Sequence, residues 1–333
     1  MNSTVFKAML VSEIKENHFQ RSIVNKKIQE LPEGDILVNV KYSSLNYKDA
    51  LSSIGNRGVT RNYPHTPGID AAGIVKKSNK DNFKVGDKVI VTGYDFGMNT
   101  SGGFAEYIRV PAQWVTKLPE NLSLKESMMI GTAGFTAALS IYKLINSGVK
   151  PEDGEILVTG ATGGVGSVAI SILNKIGYRA VGATGKVHEH EMLLELGAKD
   201  IIHREELDDD SGKALLKGRW AGVIDTVGGN ILATAIKSTK YGASITCCGN
   251  AASADFSTSV YPFILRGVTL FGIDSVQCDM ELRLKLWNKL SSEWKPENLN
   301  NNVNEISLEG LDQKIQMMLD GQHTGRTVVN LEL

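Results

Sequence analysis

Up to about Leu118 the apolar positions alternate with polar ones in short runs: "FKAMLV", "DILVNVKYSS", "AAGIVKK", "DKVIVTG" and "FAEYIRV", with Gly, Pro and Asn between them. Period-two alternation broken by turn formers predicts half-buried strands, as in a β barrel or sandwich. From about Glu126 the pattern changes to wholly apolar short runs separated by helical stretches: "EILVTG", "SVAISILNKIG", "RAVGATG", "HEHEMLLELG", "DIIH", "AGVIDTVG", "ATAIKSTK", "GASITCCG" and "VTLFGI". Continuous apolar strands alternating with helices predict a parallel sheet wrapped by helices on both faces. "MELRLKLWNKL" predicts an amphipathic helix, and "HTGRTVVNLEL" a closing strand that returns to the first domain. The expected architecture is α/β, with a β domain over residues 1–125 and 276–333 and a doubly wound parallel-sheet domain over 126–275.

A chain of 333 residues is long enough for two cores. Its 36 basic residues against 37 acidic ones give no electrostatic reason to bind nucleic acid or an anionic membrane. The apolar stretch "SMMIGTAGFTAALSIY" reads as shorter than a bilayer span and is interrupted by Gly131 and Gly134. The N-terminal segment carries scattered charges and no apolar run of signal length, so a soluble, cytoplasmic protein is expected. Cys247, Cys248 and Cys278 lack metal-ligand spacing and read as small buried thiols.

The candidate chemistry starts at "TGATGGVGSV", Thr159–Val168, where glycines crowd between a strand and a helix. At such a turn the backbone can approach a pyrophosphate held by the helix amides, although tight turns use glycine for positive φ as well. The βαβ context favours the dinucleotide reading. The next strand ends in Thr184, Gly185 and Lys186, where an NAD site usually carries a carboxylate for the ribose hydroxyls. A hydroxyl, an open backbone and a cation suit a 2′-phosphate, so NADP is expected over NAD, with Arg204 as a second clamp. Other strand ends place Asn250 and Ser275 in loops at the carboxyl side of the sheet. In the β domain, "SSLNYKDAL" puts Asn46, Tyr47, Lys48 and Asp49 just beyond a strand, where they would face an interdomain cleft or build a hydrogen-bonded turn.

The stretches "SSLNYKDAL", "YPHTPGIDAAGIV", "MMIGTAGFTA", "VTGATGGVGS", "AGVIDTVGG", "PFILRGVTLFGIDSV" and "GRTVV" together resemble the medium-chain dehydrogenase/reductase superfamily along essentially the whole chain. The resemblance is to its zinc-independent quinone oxidoreductase-like branch, the YhdH/YhfP group of NADPH-dependent acrylyl-CoA reductases. It implies a GroES-like β domain plus a Rossmann domain, and a homodimer formed through the strand "VTLFGI". The positions of the zinc ligands in the zinc alcohol dehydrogenases look like Asn46, Ile69 and Thr132 here, so no metal is expected. The implied reaction is NADPH-dependent reduction of an activated C=C bond in a small-molecule acceptor, an enoyl-CoA thioester, with a quinone as the alternative acceptor and an NADPH-binding sensor as the non-enzymatic reading. The implied catalytic residues are Tyr47, as a donor to the developing oxyanion, and Asp49. The implied cofactor contacts are Tyr47, Thr162, Gly163, Gly164, Val165, Thr184, Gly185, Lys186, Arg204, Asn250, Ile264 and Ser275, with Asn250 and Ile264 acting through backbone groups. Thr184-Gly185-Lys186 departs from the group's usual Ser-Gly-Arg, which keeps the charge and loses the bidentate fork. Arg57 and Arg61, in "GNRGVTRNYP", are loop cations that could meet the phosphates of a coenzyme A ester, with a solvated loop as the favoured reading of each.

Overall fold

The computed structural model describes residues 4–333. The chain opens with a hairpin, β1 (Val5–Lys15) and β2 (His18–Lys27), whose tight turn places Asn17 at φ 57°, a conformation that Asn tolerates better than most residues. Then follow β3 (Ile36–Leu45), the short helix α1 (Tyr47–Ser52), β4 (Asp70–Ser78), β5 (Lys88–Thr92), β6 (Tyr107–Val110) and β7 (Val115–Lys117). Helix α2 (Leu124–Asn146) comes next and leaves helical geometry at Gly131, where φ is 52° and ψ −161°. Only glycine fits there. A Cβ would lie 2.5 Å from Arg326 Nη2 and 2.6 Å from both Asp70 Oδ2 and Ser44 Oγ.

Taken across its break at Gly131, α2 spans 23 residues and is by length and composition long and apolar enough to cross a membrane. It is a longer element than the span read from the sequence, although the interruption expected at Gly131 is present and the helix passes through Gly134. Its most apolar window is 78% buried within the protein, as in a core helix.

The parallel-sheet region runs β8 (Glu155–Thr159), α3 (Gly164–Lys175), β9 (Arg179–Thr184), α4 (His190–Glu195), β10 (Asp200–His203), β11 (Trp220–Asp225), α5 (Gly229–Lys237), β12 (Thr239–Cys247), α6 (Tyr261–Arg266) and β13 (Thr269–Gly272). All five strand pairings are parallel, in the order β10-β9-β8-β11-β12-β13. That is the Rossmann order, and its topological switch lies between β8 and β11. Leu157, Val181, Val223 and Ile245 from four of these strands pack with Leu232, Ala235 and Ile236 of α5. β13 forms an edge of the sheet.

The chain closes with α7 (Met280–Leu290), β14 (Val303–Ile306), α8 (Leu311–Leu319) and β15 (Arg326–Asn330). β15 pairs antiparallel with β3, giving a sheet ordered β14-β15-β3-β4-β5-β7 with β6 beside β3. Ile36, Val38 and Val40 of β3, Val89 and Val91 of β5, and Leu311 and Ile315 of α8 share its core.

Two compact units result. One is the chain to Thr132 with Val276–Leu284 and Asn302–Leu333, and the other is Ala133–Ser275 with Lys285–Asn301. The division in α2 falls beside the Gly131 break rather than at residue 125. Lys285–Asn301 groups with the parallel-sheet unit rather than with the rest of 276–333, because Trp287 stacks on Phe135 of α2 at 6.1 Å and Lys285 Nζ donates to Tyr142 Oη at 3.1 Å.

Candidate cofactor and active site

At the switch point the carboxyl ends of β8 and β11 are tied together. Thr159 Oγ1 donates to Asp225 Oδ1 at 2.7 Å and accepts from Thr226 N at 3.0 Å, while Thr226 Oγ1 donates to Thr159 O at 2.9 Å. Asp225 Oδ2 accepts from Gly228 N at 2.9 Å, and burial holds this carboxyl above the usual range against those bonds. The glycine turn sits on this platform. Gly160 is left-handed at φ 59°, and Gly163 caps α3 in an extended conformation with no side chain bonded to the helix start. The first-turn amides of α3, beginning at Gly164 and Val165, therefore meet no capping side chain, which suits a pyrophosphate. A Cβ on Gly166 would come within 2.4 Å of Gly160 O, so helix and turn pack at backbone distance.

Next to that turn lies the end of β9. Thr184 is buried, its Oγ1 accepts from Lys186 N at 3.0 Å, and it lies 3.4 Å from Thr162 Oγ1. Arg204, at the close of β10, folds across Gly185, where a Cβ would stand 2.8 Å from its Nε. Partial burial lowers the Lys186 pKa below the usual lysine range, and Glu189 opposes that shift. Thr162, Thr184, Gly185, Lys186 and Arg204 are thus brought together, with two cations at the β9 end, no carboxylate among the three residues that close the strand, and Glu189 acting on Lys186 from the next turn. This donor set fits a 2′-phosphorylated dinucleotide.

The remaining predicted contacts are more dispersed. Asn250 is exposed in the loop after β12, and neighbouring Gly249 passes so close to the loop after β11 that a Cβ would meet Thr226 O at 2.0 Å. Ser275 is buried and accepts from Thr136 Oγ1 of α2 at 2.8 Å. Ile264 is 67% exposed on α6, and its amide donates to Val260 O at 3.0 Å, so its backbone donor is already used. Burial pushes the Cys248 thiol up to about 12, which removes it as a nucleophile.

In the first unit, Tyr47 opens α1 with 48% of its surface exposed. Asp49, grouped with Tyr47 as catalytic on sequence grounds, is fully buried and makes no contact with solvent. Its carboxylate accepts from the amides of Asn46 (2.8 Å), Gly68 (3.1 Å) and Ile69 (2.9 Å). The geometry therefore makes it a positioning residue for the turn that carries Tyr47. Burial, then the neighbouring Asp70, push its pKa up to about 7 against those amide bonds. Between about pH 4 and 7 the native state thus holds a proton that the unfolded chain releases, and wild type loses stability relative to Asp49→Asn as pH rises through that window, levelling off above it. Urea unfolding of both proteins from pH 4.5 to 8 measures this; a constant difference below pH 7 would show the carboxyl already ionised.

Beneath the same turn is a buried network that sequence reasoning passed over. Asp70 accepts from Ser44 Oγ (2.5 Å), Asn46 Nδ2 (2.8 Å), Thr132 N (2.9 Å) and Thr132 Oγ1 (2.5 Å). Arg326 Nη2 stands 3.8 Å from Asp70 Oδ2, and its guanidinium donates to Ser44 Oγ, Asn46 Oδ1 and Met129 O. The available signal was a charged residue inside each of two apolar runs, "GIDAAGIV" and "GRTVVNL". Asn46, Ile69 and Thr132, the positions resembling zinc ligands, do not fit zinc. Ile69 has no donor atom, and Asn46 and Thr132 direct their polar atoms into this network. Among the described residues no group of three His, Cys, Asp or Glu side chains is placed to hold a metal.

Comparison with known proteins agrees with this architecture. Residues 32–120 match the alcohol dehydrogenase GroES-like domain family and residues 164–291 the zinc-binding dehydrogenase family. The Bacillus subtilis protein YhfP, assigned by name to the quinone oxidoreductases, is 45% identical over 332 residues, covering 99% of this chain and 100% of YhfP. Its structure with NAD bound superposes with a TM-score of 0.96. Acrylyl-CoA reductase AcuI of Ruegeria pomeroyi is 39% identical over 328 residues, covering 98% of this chain and 99% of AcuI. The yhdH oxidoreductase of Salmonella enterica, solved in complex with NADP, is 39% identical with a TM-score of 0.95, covering 98% of this chain and 99% of that one. Sequence similarity that spans both units, carried on the same fold, places the chain in the medium-chain dehydrogenase/reductase superfamily, within its YhdH/YhfP group.

Proposed function

We propose that this oxidoreductase reduces the activated C=C bond of an α,β-unsaturated thioester with NADPH, as in conversion of acrylyl-CoA to propionyl-CoA. The observation that carries the reading is the end of β9, where Arg204 lies across Gly185 beside Thr184 and Lys186, and where the strand closes on a hydroxyl, a glycine and a cation in place of a carboxylate. Those side chains hold the 2′-phosphate, and the turn Thr162–Val165 holds the pyrophosphate. Asn250, Ser275, Tyr47 and the carbonyl of Ile264, whose amide is already bonded to Val260 O, complete the proposed contacts. Bound there, NADPH supplies the hydride. Because Asn46, Ile69 and Thr132 offer no Lewis-acid site, the acceptor must already be electrophilic, as an enoyl thioester is. The reductase name of AcuI supports that substrate class. The Tyr47 hydroxyl donates to the thioester oxygen as negative charge develops, and Asp49 keeps the turn in place.

The test is NADPH oxidation with acrylyl-CoA, beside para-benzoquinone and an NADH control. Saturable turnover of the thioester is expected. Lys186→Ala should raise KM for NADPH about tenfold or more while leaving KM for NADH nearly unchanged, since a charge-assisted hydrogen bond contributes about 1.5–3 kcal/mol. Tyr47→Phe should lower kcat at least about tenfold. Turnover of the quinone alone would replace the thioester reading, and tight NADPH binding without turnover of either acceptor would point to a sensor.

A further inference from the structure

We propose that Lys48 is a cation set aside for an anionic oxygen of the substrate, an inference that rests on the reductase reading above. Lys48 follows Tyr47 in the first turn of α1, on the segment that Asp49 anchors through the amides of Asn46, Gly68 and Ile69. Its side chain is partly buried, and its ammonium meets Met98 Sδ at 4.0 Å. A thioether is a weak acceptor that carries no charge. Met98 is itself held in place, with its carbonyl accepting from Thr60 Oγ1 at 2.8 Å and Thr60 bonded to Ser52 Oγ at 2.7 Å.

Among the described residues no carboxylate pairs with Lys48. Five lysines of the same unit, Lys7, Lys41, Lys80, Lys117 and Lys125, each reach a carboxylate within 3.5 Å, whereas Lys48 is partly buried against a thioether. The acids of this region are committed elsewhere. Asp49 serves backbone amides, Asp70 serves Ser44, Asn46 and Thr132, and Asp95 accepts from Asn99 Nδ2 and Thr100 Oγ1, both at 2.9 Å. A partly desolvated ammonium facing a neutral sulfur gains more from an arriving anion than a lysine already paired.

The substrate offers that chemistry in two places. Hydride addition forms a C–H bond at the β-carbon, the alkene π pair shifts to bond the α-carbon to the thioester carbon, and the C=O π pair moves onto oxygen as an enolate. A proton added at the α-carbon then restores the C=O bond and completes the two-electron reduction. The coenzyme A phosphates are the other anionic oxygens. Both present the same ligand to Lys48, and acceptors with and without phosphate distinguish them.

The experiment compares full-length wild type, Lys48→Met and Lys48→Arg. It measures kcat and KM on acrylyl-CoA and on its N-acetylcysteamine thioester, which lacks phosphate, together with calorimetric binding of propionyl-CoA and thermal unfolding. The expected result for Lys48→Met is a wild-type melting temperature with kcat/KM on acrylyl-CoA reduced about tenfold to hundredfold, partly restored in Lys48→Arg. A kcat loss on both thioesters assigns the enolate; a KM and binding loss confined to the CoA compounds assigns the phosphates. Unchanged kcat, KM and binding overturn the proposal, as does a loss that tracks a lower melting temperature and is not restored by arginine. Wild type inert toward both thioesters would sink the thioester reading instead. The same three proteins would then be compared on para-benzoquinone, whose hydride adduct is also an oxyanion, and equal rates there would overturn the role of Lys48.

Discussion

Replacing Gly166 with alanine is expected to weaken NADPH binding by about hundredfold or more. The added Cβ would stand 2.4 Å from Gly160 O and 2.8 Å from Ala161 Cα, both backbone atoms that no rotamer change can move. Helix α3 must therefore shift away from the turn, and its first-turn amides lose their alignment toward the pyrophosphate. Loss of two charge-assisted hydrogen bonds at about 1.5–3 kcal/mol each is enough for that factor. Since the same shift disturbs packing, Gly163→Ala separates binding from folding. Gly163 has an ordinary φ of −79°, and its Cβ would meet Gly160 O at 3.2 Å, a tight contact that a shift of a few tenths of an ångström relieves. The variant is therefore expected to fold with a small loss of stability while its methyl crowds the proposed pyrophosphate position and weakens NADPH binding. Calorimetric titration with NADPH and thermal unfolding of both variants measure the effects. Wild-type affinity in Gly166→Ala would mean that the pyrophosphate is not bound at this turn.

The second large effect is expected at Arg326, which is 4% exposed. Arg326→Met should destabilise the first unit by about 3–5 kcal/mol, the usual cost of leaving a buried charge without its partner. The guanidinium satisfies Met129 O, Asn46 Oδ1 and Ser44 Oγ and is the cation facing Asp70, so its removal exposes several buried groups to loss at once. Burial lowers its pKa, and Asp70 and then Asp49 counter that shift, so the arginine and these two acids form one electrostatic unit. Asp70→Asn in the Arg326→Met background should recover part of the loss, and a double-mutant cycle from urea unfolding would measure the coupling. Additive effects of the two substitutions would show that Asp70 and Arg326 act independently.

Both effects depend on residues whose visibility in the sequence was very different. The glycine turn was legible because strand, turn and helix are consecutive, and the absence of a carboxylate at Thr184-Gly185-Lys186 could be read directly from the next strand end. Strand β2 was not read, since its side chains are only half-buried and polar residues occupy both faces. The glycines of α2 were read as interruptions. In the structure Gly134 is helical, and Gly131 is the place where the backbone makes room for Arg326 and Asp70. Asp49 was legible as part of a polar turn, but not its burial: the amides that it binds at Gly68 and Ile69 come from a distant loop.

The sequence by itself determined the two kinds of element, their order, the glycine turn before α3 and the cations at the end of β9, because each is a local pattern of side-chain period, glycine placement or charge. Tertiary structure alone decided that Arg204 lies over Gly185, that Asp49 is a buried anchor, that Asp70 and Arg326 join one network under Tyr47, and that Lys48 faces Met98. The reason is physical. These arrangements depend on which charges and hydrogen-bonding groups are desolvated together, and chain folding, rather than spacing along the sequence, selects those partners.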